Sequence, residues 1–367
     1  MNDNDIDYDS LLSTVREIVA PIVSHVQTLR KQLVADERIQ RFSNRDSGTD
    51  PATTSLAAAD GGRIQEKLYL FDLIVARGTV ANGKVSSTHP TPDPITWAIG
   101  LPRDKGTAYV AEAAMAAIEL RLLCDSTHET RILDGSFITP LLGLREGIYA
   151  RQRETRQATI NILNGPWNPL TALNTVYTPD VNRPILALTK SDTSRLYSQT
   201  FTREGINLGG VQDRTLATQL LQPGEYLTPI PVDYSQIRTN RKSKYEPNVK
   251  TVGKEIDNVT ETLIQHTNDN HIYTTYFKPY GSNHTVLKID YFHTGSVEDN
   301  PVRRYVEIVN QDTQTPHILE PFSQWKADQL AKIIKKEPEK IKRNLLAQMT
   351  LEEKATFGPL ILSNYRT

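Results

Sequence analysis

"LAAADGGR" occupies residues 56–63 and "RILDGSF" residues 131–137, and each is an apolar run that ends in Asp and passes into Gly. Read locally, Asp60 and Asp134 each close a buried strand, and the Gly after each opens a turn. A carboxylate at the end of a core strand is costly unless something pairs with it. Two explanations fit. Asp-Gly is a common hairpin signal, which would give both aspartates turn chemistry. A shared metal site would explain both at once, because paired carboxylates offer hard oxygen ligands.

The elements between the two runs decide how they are read. Residues 56–60 form a first strand. "KLYLFDLIVARGTV" (67–80) has the length and composition of a long second strand, and the Asn-Gly turn in "ANGK" (81–84) returns the chain as a hairpin through "KVSST". "PITWAIGL" is a third strand. "TAYVAEAAMAAIELRLLCD" (107–125) is Ala-rich without an interior breaker and predicts a helix. "ETRILDGSF" (129–137) is a fourth strand. Strand with Asp60, two strands, helix with Glu119 and strand with Asp134 is the order of an RNase H-like fold. In that fold an Asp of the first strand, a Glu of the first helix and an Asp of the fourth strand converge. Such a trio suits Mg²⁺ or Mn²⁺ rather than zinc. Two such ions about 4 Å apart support phosphodiester hydrolysis. The helix offers two acids on one face, Glu112 and Glu119. Glu112 sits in the first turns, where a negative charge suits the helix dipole without chemistry. Glu119, between Ile118 and Leu120, is the preferred ligand.

The remaining chain sets bounds. With 367 residues it exceeds one small core, and predicts one elaborated domain of roughly 250 residues with helical additions, or two intimate ones. Apolar content of 38% and charged content of 23% predict a soluble globular protein. No apolar run reaches the roughly 18 residues of a membrane span, and the acidic start "NDNDIDYDS" is not a signal peptide. The single Cys124 excludes an intrachain disulfide and fits a cytoplasmic setting. A net charge of −1 is unlike that of a free-standing DNA-coating protein. No Gly-rich ATP loop or dinucleotide fingerprint is present, and the eight His residues form no close helical pair of the kind zinc sites favour.

Residues 8–40 read as helix, with Val15, Val19, Ile22, Val26, Leu29 and Leu33 spaced as a heptad-like stripe. Pro21 predicts a kink or two abutting helices. The stripe packs either on the protein's own core or on a dimer or partner seam. Residues 41–55 read as a linker. "RTNRKSKYEPNVKTVGK" (238–254) gathers Arg241, Lys242 and Lys244 around Tyr245. Cations can track a nucleic-acid backbone while Tyr stacks on a base, and a solvated loop is the alternative. "KIIKKEPEKIKR" (332–343) reads as an exposed helical face broken at Pro338.

Seven stretches, in order over residues 56–333, resemble the NurA nucleases, DNA end-processing enzymes that work with the hexameric ATPase HerA. "AAADGGR" and "RILDGSFITPL" resemble the two Asp-Gly-Ser motifs, with Gly62 where Ser is usual. "AAIELRLL" resembles the Glu-bearing helix. "ILALTKSDTSRLYSQ" resembles the Ser-Lys-Asp-Ser turn, with Thr189 for the first Ser. "DRTLATQLLQPGEYLTP" resembles the Pro-Gly-Glu segment. "TVLKIDYF" resembles a late strand, with Lys288 for Arg. "PHILEPFSQWKADQLAKI" resembles the C-terminal helix, with Asp328 where the family has His. The resemblance implies an α/β, RNase H-like (PIWI-like) mixed-sheet core with added helices. It also implies Mn²⁺ or Mg²⁺, a homodimer, a HerA-like hexameric ATPase partner, and cleavage of DNA ends and single strands. Its metal ligands fall on Asp60, Glu119 and Asp134. Lys190 would lie near the scissile phosphate, with Asp192 a weaker fourth carboxylate. A strand-to-helix turn, capped by Ser191 or Asp192, explains that pair equally well. Asp328 either adds a carboxylate to the site or makes a surface ion pair with Lys332. The organisation expected is an N-terminal helical segment over 1–40, the nuclease domain over 56–333 and a basic helical tail over 334–367. The runner-up is a catalytically inactive NurA-like binding subunit of a HerA-type complex, and a weaker third reading is an RNase H-like enzyme acting on RNA.

Overall fold

The computed structural model describes residues 8–42, 54–69, 71–84, 93–103, 106–165, 168–180, 182–189, 193–206, 208, 210–234, 247–281, 286–295, 300–313, 320–334 and 336–362. A single mixed sheet organises them. Its strands are β1 (Ile39–Arg41), β2 (Leu56–Lys67), β3 (Phe71–Asn82), β4 (Ile95–Pro102), β5 (Thr130–Asp134), β6 (Ile185–Thr189), β7 (Glu225–Leu227), β8 (Ile230–Pro231), β9 (Ile272–Lys278) and β10 (Leu287–Phe292). The spatial order is β1-β7-β9-β10-β6-β5-β2-β3-β4, and β8 pairs with β9. β2, β5 and β6 run parallel at the centre, while the remaining pairings are antiparallel.

Strand alternation divides the core. Ala57, Ala59, Leu133 and Ala187 face one side, where α2 (Thr107–Asp125), α3 (Ile138–Ile148), α4 (Arg153–Leu163), α5 (Leu170–Val176) and α8 (Pro247–Asn268) cover them. Ala58, Ile132, Leu186, Leu188 and Ile289 face the other side, against α9 (Val302–Thr313) and Ala327 of α10 (Phe322–Ala331). A third cluster joins α1 (Tyr8–Ala35) to α6 (Leu196–Arg203) and α7 (Asp213–Leu220). Val26, Leu29 and Leu33 are buried there, so the described end of the predicted stripe packs on the protein's own core. Arg30 reinforces the joint with a two-pronged bond to the buried Glu225 carboxylate, at 2.8 and 2.9 Å. Burial pushes the Glu225 pKa up, but the Arg30 and Gln222 hydrogen bonds outweigh it and hold it below the ordinary value. α1 ends at Ala35 and its helix runs through Pro21. Among the described residues, no helix is long and apolar enough to cross a membrane.

Three sequence expectations need correction. β2 does not stop at Asp60 but continues through Gly61 and Gly62 to Lys67. The stretch 67–80 is not one strand, because Leu68 donates its N–H to the Phe71 carbonyl at 2.9 Å and turns the chain into β3. Pro338 does not break a helix: it is the third residue of α11 (Lys336–Gln348), where its missing N–H had no helical partner to lose. That face is also not wholly exposed, since Lys342 is buried between Glu66 and Glu339. The basic segment is followed by α12 (Leu351–Leu362). The proposed return strand "KVSST" lies, apart from Lys84, outside the described residues.

Candidate metal and nucleic-acid site

The parallel register of β2 and β5 pairs Ala58 with Ile132 and Ala59 with Leu133. The next step sets Asp60 beside Asp134. Neighbouring strands lie about 4.8 Å apart, and alternation turns both side chains to the face of Ala58 and Ile132. Both strands are central, so the two carboxylates are held by backbone on each flank: Asp60 opposite Thr79 of β3, Asp134 beside Leu188 of β6. Asp60 is buried, and its Oδ1 accepts the Gly61 N–H at 2.7 Å. Asp134 ends β5, and Gly135 then adopts φ +98°, a conformation that favours glycine. The two Asp-Gly pairs are therefore not equivalent. The second is a turn, and the first is the middle of a strand.

Gly61 and Gly62 stay extended because helices press on them from both faces. A Cβ on Gly61 would strike Met115 of α2, and one on Gly62 would overlap the Ala331 carbonyl at the end of α10. Gly62 thus gives α10 its close seat on the sheet. α10 buries Ser323, Gln324, Ala327 and Ala331, with Leu330 partly buried against the same core cluster as Ala327, because small residues suit that close approach. From this seat Gln324 donates Nε2 to Asp134 Oδ1 at 2.5 Å. No motif in the sequence singles out Gln324. Asp328, one turn further on, is partly exposed and bonded to Lys332 at 2.7 Å, the surface ion pair foreseen as its alternative.

α2 carries Glu119 on the other face of the sheet. Met115 abuts Gly61, and Glu119 follows one helical turn later, buried at 5% exposure. Burial, and then the Glu119 charge, push the Tyr177 phenol well above its ordinary value. Tyr177 donates to the Phe137 carbonyl at 2.8 Å. Glu119 therefore lies on the opposite face of the sheet from the Asp60 and Asp134 side chains. Glu112, the other candidate, is instead bonded to Arg63 at 2.6 Å on the surface. Among the described residues, no group of three or more His, Cys, Asp or Glu side chains is disposed to hold a metal ion. Asp60 and Asp134 nonetheless offer two carboxylates at adjacent register positions, the hard oxygen donors that a divalent cation takes.

A cleft of about 700 Å³ opens at the C-terminal ends of β5 and β6, lined by Asp134, Ser136, Arg195, Tyr234 and Lys288 among others. Ligands of open α/β sheets bind at such strand ends. Lys288 is buried, with its Nζ 3.8 Å from Asp290 Oδ1. Arg195 is exposed at the mouth. The first turn of α3 also reaches the cleft through Thr139, whose hydroxyl lies 2.8 Å from that of Ser136. The cleft thus places two cations and a helix N-terminus beside one of the paired carboxylates. Lys190, Asp192, Arg241, Lys242, Lys244 and Tyr245 lie outside the described residues.

This arrangement resembles known structures far more than known sequences. No protein-family model matches the chain, and no curated protein matches it either. Among solved structures, the NurA nuclease from Sulfolobus solfataricus superposes with a TM-score of 0.57 at 14% identity, over 93% of this chain and 96% of its own. The fold is that of NurA. A NurA structure bound to dAMP and manganese superposes with a TM-score of 0.57 at 10% identity, over 96% and 99% of the two chains. A further NurA structure with manganese gives 0.53 at 9% identity, over 92% and 99%. The NurA-like architecture therefore extends over nearly the whole chain.

Proposed function

We propose that this chain is a divalent-metal-dependent deoxyribonuclease of the NurA type, resecting DNA ends and cutting single strands. The observation that carries the reading is the adjacent register of Asp60 and Asp134, the second of which lines a cleft that also holds Arg195 and Lys288, within a NurA-like fold. Asp60 and Asp134 would hold Mn²⁺ or Mg²⁺, with Glu119 of α2 the third ligand that the resemblance implies. Such ions supply an activated water and stabilise the charge on the leaving oxygen. A manganese-bound NurA structure and one holding dAMP support that choice of metal and substrate.

The chain's own groups would do the rest. Lys288 and Arg195 supply positive charge for a phosphate, and the N–H groups opening α3 add an anion-binding end. Tyr234 offers a face on which a base can stack. Gln324 holds the Asp134 carboxylate through Oδ1 and would fix its orientation toward a ligand. The net charge of −1 gives the isolated protein little long-range attraction for DNA. Steering and strand feeding then fall to a partner, in this reading a HerA-like hexameric ATPase, with the chain acting as a homodimer in DNA repair or defence.

Two observations favour a second reading, a non-catalytic docking subunit of such a complex. Gly62 lacks the hydroxyl usual beside the first carboxylate, and Asp328 is engaged with Lys332. Incubating wild type and Asp134→Asn with end-labelled single- and double-stranded DNA and Mn²⁺ separates the two. Cleavage by wild type that the variant lacks supports the nuclease. Equal inertness of both, with DNA or partner binding retained, supports the docking subunit.

A further inference from the structure

Three residues before Asp134 on β5, Arg131 is buried at 1% exposure, on the α2 face of the sheet. Its Nη2 donates to the Arg183 carbonyl at 2.7 Å. Its Nε and Nη1 are buried and find no hydrogen-bond partner among the described residues. A guanidinium carries five N–H donors and cannot shed its charge. A buried cation left uncompensated is strongly destabilising, so the surroundings should hold something that answers it.

The surroundings contain a small cavity of about 10 Å³, lined by Arg131, Arg183, Thr175, Thr178, Asp180 and Phe292 among others. That is the room of a single small atom. Burial, and then the neighbouring Arg183 charge, hold the Arg131 guanidinium below its ordinary value, with Cys124 and Asp180 opposing them. Asp180 is itself exposed, and its Oδ1 accepts the backbone N–H groups of Asn182 and Arg183 at 3.0 and 3.1 Å. It makes no ion pair with Arg131. The cavity therefore has two arginines and two threonines around a space too small for any side chain.

We propose that this cavity is an anion site, taking an anion that presents one atom to Nε and Nη1 of Arg131. A chloride ion has that form, and so does one oxygen of a phosphate group standing at the Arg183 rim. The site lies at the other end of β5 from the carboxylates and does not depend on the nuclease reading. Its occupant would complete the Arg131 coordination and hold the Pro184 end of β6, whose carbonyl accepts the Arg131 backbone N–H at 3.0 Å.

The test is thermal unfolding of the full chain at fixed ionic strength in sodium chloride, bromide, phosphate or gluconate. Gluconate, too bulky to enter, is the reference. A ligand that binds only the native state raises the melting temperature with saturation. The expected result is a saturable rise in chloride and bromide, and a bromide peak within hydrogen-bond distance of Arg131 in a soaked crystal. A rise that saturates at lower concentration in phosphate than in chloride, and that Arg183→Ala weakens, would identify a phosphate group as the occupant, since phosphate's general stabilising effect neither saturates nor depends on Arg183. Arg183→Ala, on the exposed rim, should weaken the response several-fold, and Arg131→Gln should abolish it. If Arg131→Gln does not fold, the Arg183→Ala titration and the bromide map decide. Melting temperatures equal in all four salts, with no bromide at Arg131, would overturn the proposal.

Discussion

Adding one methyl group at Gly62 should unseat α10 and, with it, the partner of Asp134. In Gly62→Ala the new Cβ would overlap the Ala331 carbonyl oxygen and stand 3.0 Å from the Ala331 carbonyl carbon. Carbon atoms prefer about 3.5–4.0 Å, so the end of α10 must retreat by roughly 0.5–1 Å. Backbone on both sides leaves no flexible side chain to yield. Overpacking of this kind costs about 1–3 kcal/mol, or roughly 1–4 °C in a chain of this size. Gln324 stands seven residues earlier on the same helix, at hydrogen-bond distance from Asp134. The shift should therefore loosen that bond and lower metal affinity beyond any loss of stability. The control is Gly143→Ala in α3, whose new Cβ would come no nearer than 3.7 Å to its closest neighbour. There the change should stabilise by about 0.5–1 kcal/mol, because alanine is the better helix former. Both variants would be followed by thermal and urea unfolding and by Mn²⁺ titration. Equal stability of wild type and Gly62→Ala within about 0.3 kcal/mol would refute the packing argument. Gly62→Ser, which adds a Cβ at the same place, should destabilise as much as alanine does.

Further outcomes follow from the same geometry. Gln324→Ala should weaken Mn²⁺ binding while leaving the fold cooperative, as measured by calorimetry, and unchanged affinity would remove Gln324 from the site. Arg30→Ala leaves the buried Glu225 without its main partner and should cost about 3 kcal/mol, with α1 becoming labile in hydrogen exchange; undiminished protection of α1 would contradict it. Burial, then His271, depress the His266 pKa, with Asp269 opposing. The unfolded chain thus takes up that proton first as pH falls below about 6.5. The result is a loss of stability between pH 7 and pH 5, which His266→Gln should reduce. An identical pH profile for the variant would show that His266 is not its source. Asp328→Ala and Lys332→Ala should change cleavage and metal affinity equally little if their ion pair is only a surface contact. A loss of orders of magnitude confined to Asp328→Ala would return that residue to the site.

Much of this architecture was legible because local patterns and tertiary packing agree. α2 spans Thr107–Asp125, as its breaker-free, Ala-rich sequence predicts, and the order of strands around it led to the mixed sheet. Where the two disagree, the sequence misleads. "ADGG" and "LDGS" carry the same Asp-Gly signal, yet only Gly135 turns. Gly61 and Gly62 are kept extended by Met115 and Ala331, residues far away in sequence and on opposite faces of the sheet. Gln324 was invisible for a similar reason. Nothing local marks a glutamine as facing a carboxylate 190 residues earlier. The cleft shares that origin, since Asp134, Arg195, Tyr234 and Lys288 meet only when β5, β6 and β10 lie side by side. Lys342 reverses the lesson, because a lysine in a basic, solvated-looking run is buried between two glutamates.

The most direct test of the account is cleavage of end-labelled single-stranded DNA by the purified chain with Mn²⁺, with Mg²⁺ and with EDTA. It should be run beside Asp60→Asn, Glu119→Gln, Glu112→Gln and Asp134→Asn, each shown to be folded by its melting curve. The account predicts metal-dependent cleavage that falls by orders of magnitude in the Asp60, Glu119 and Asp134 variants and survives in Glu112→Gln. Cleavage that persists in folded Asp60→Asn and Asp134→Asn, or that continues in EDTA, would contradict it.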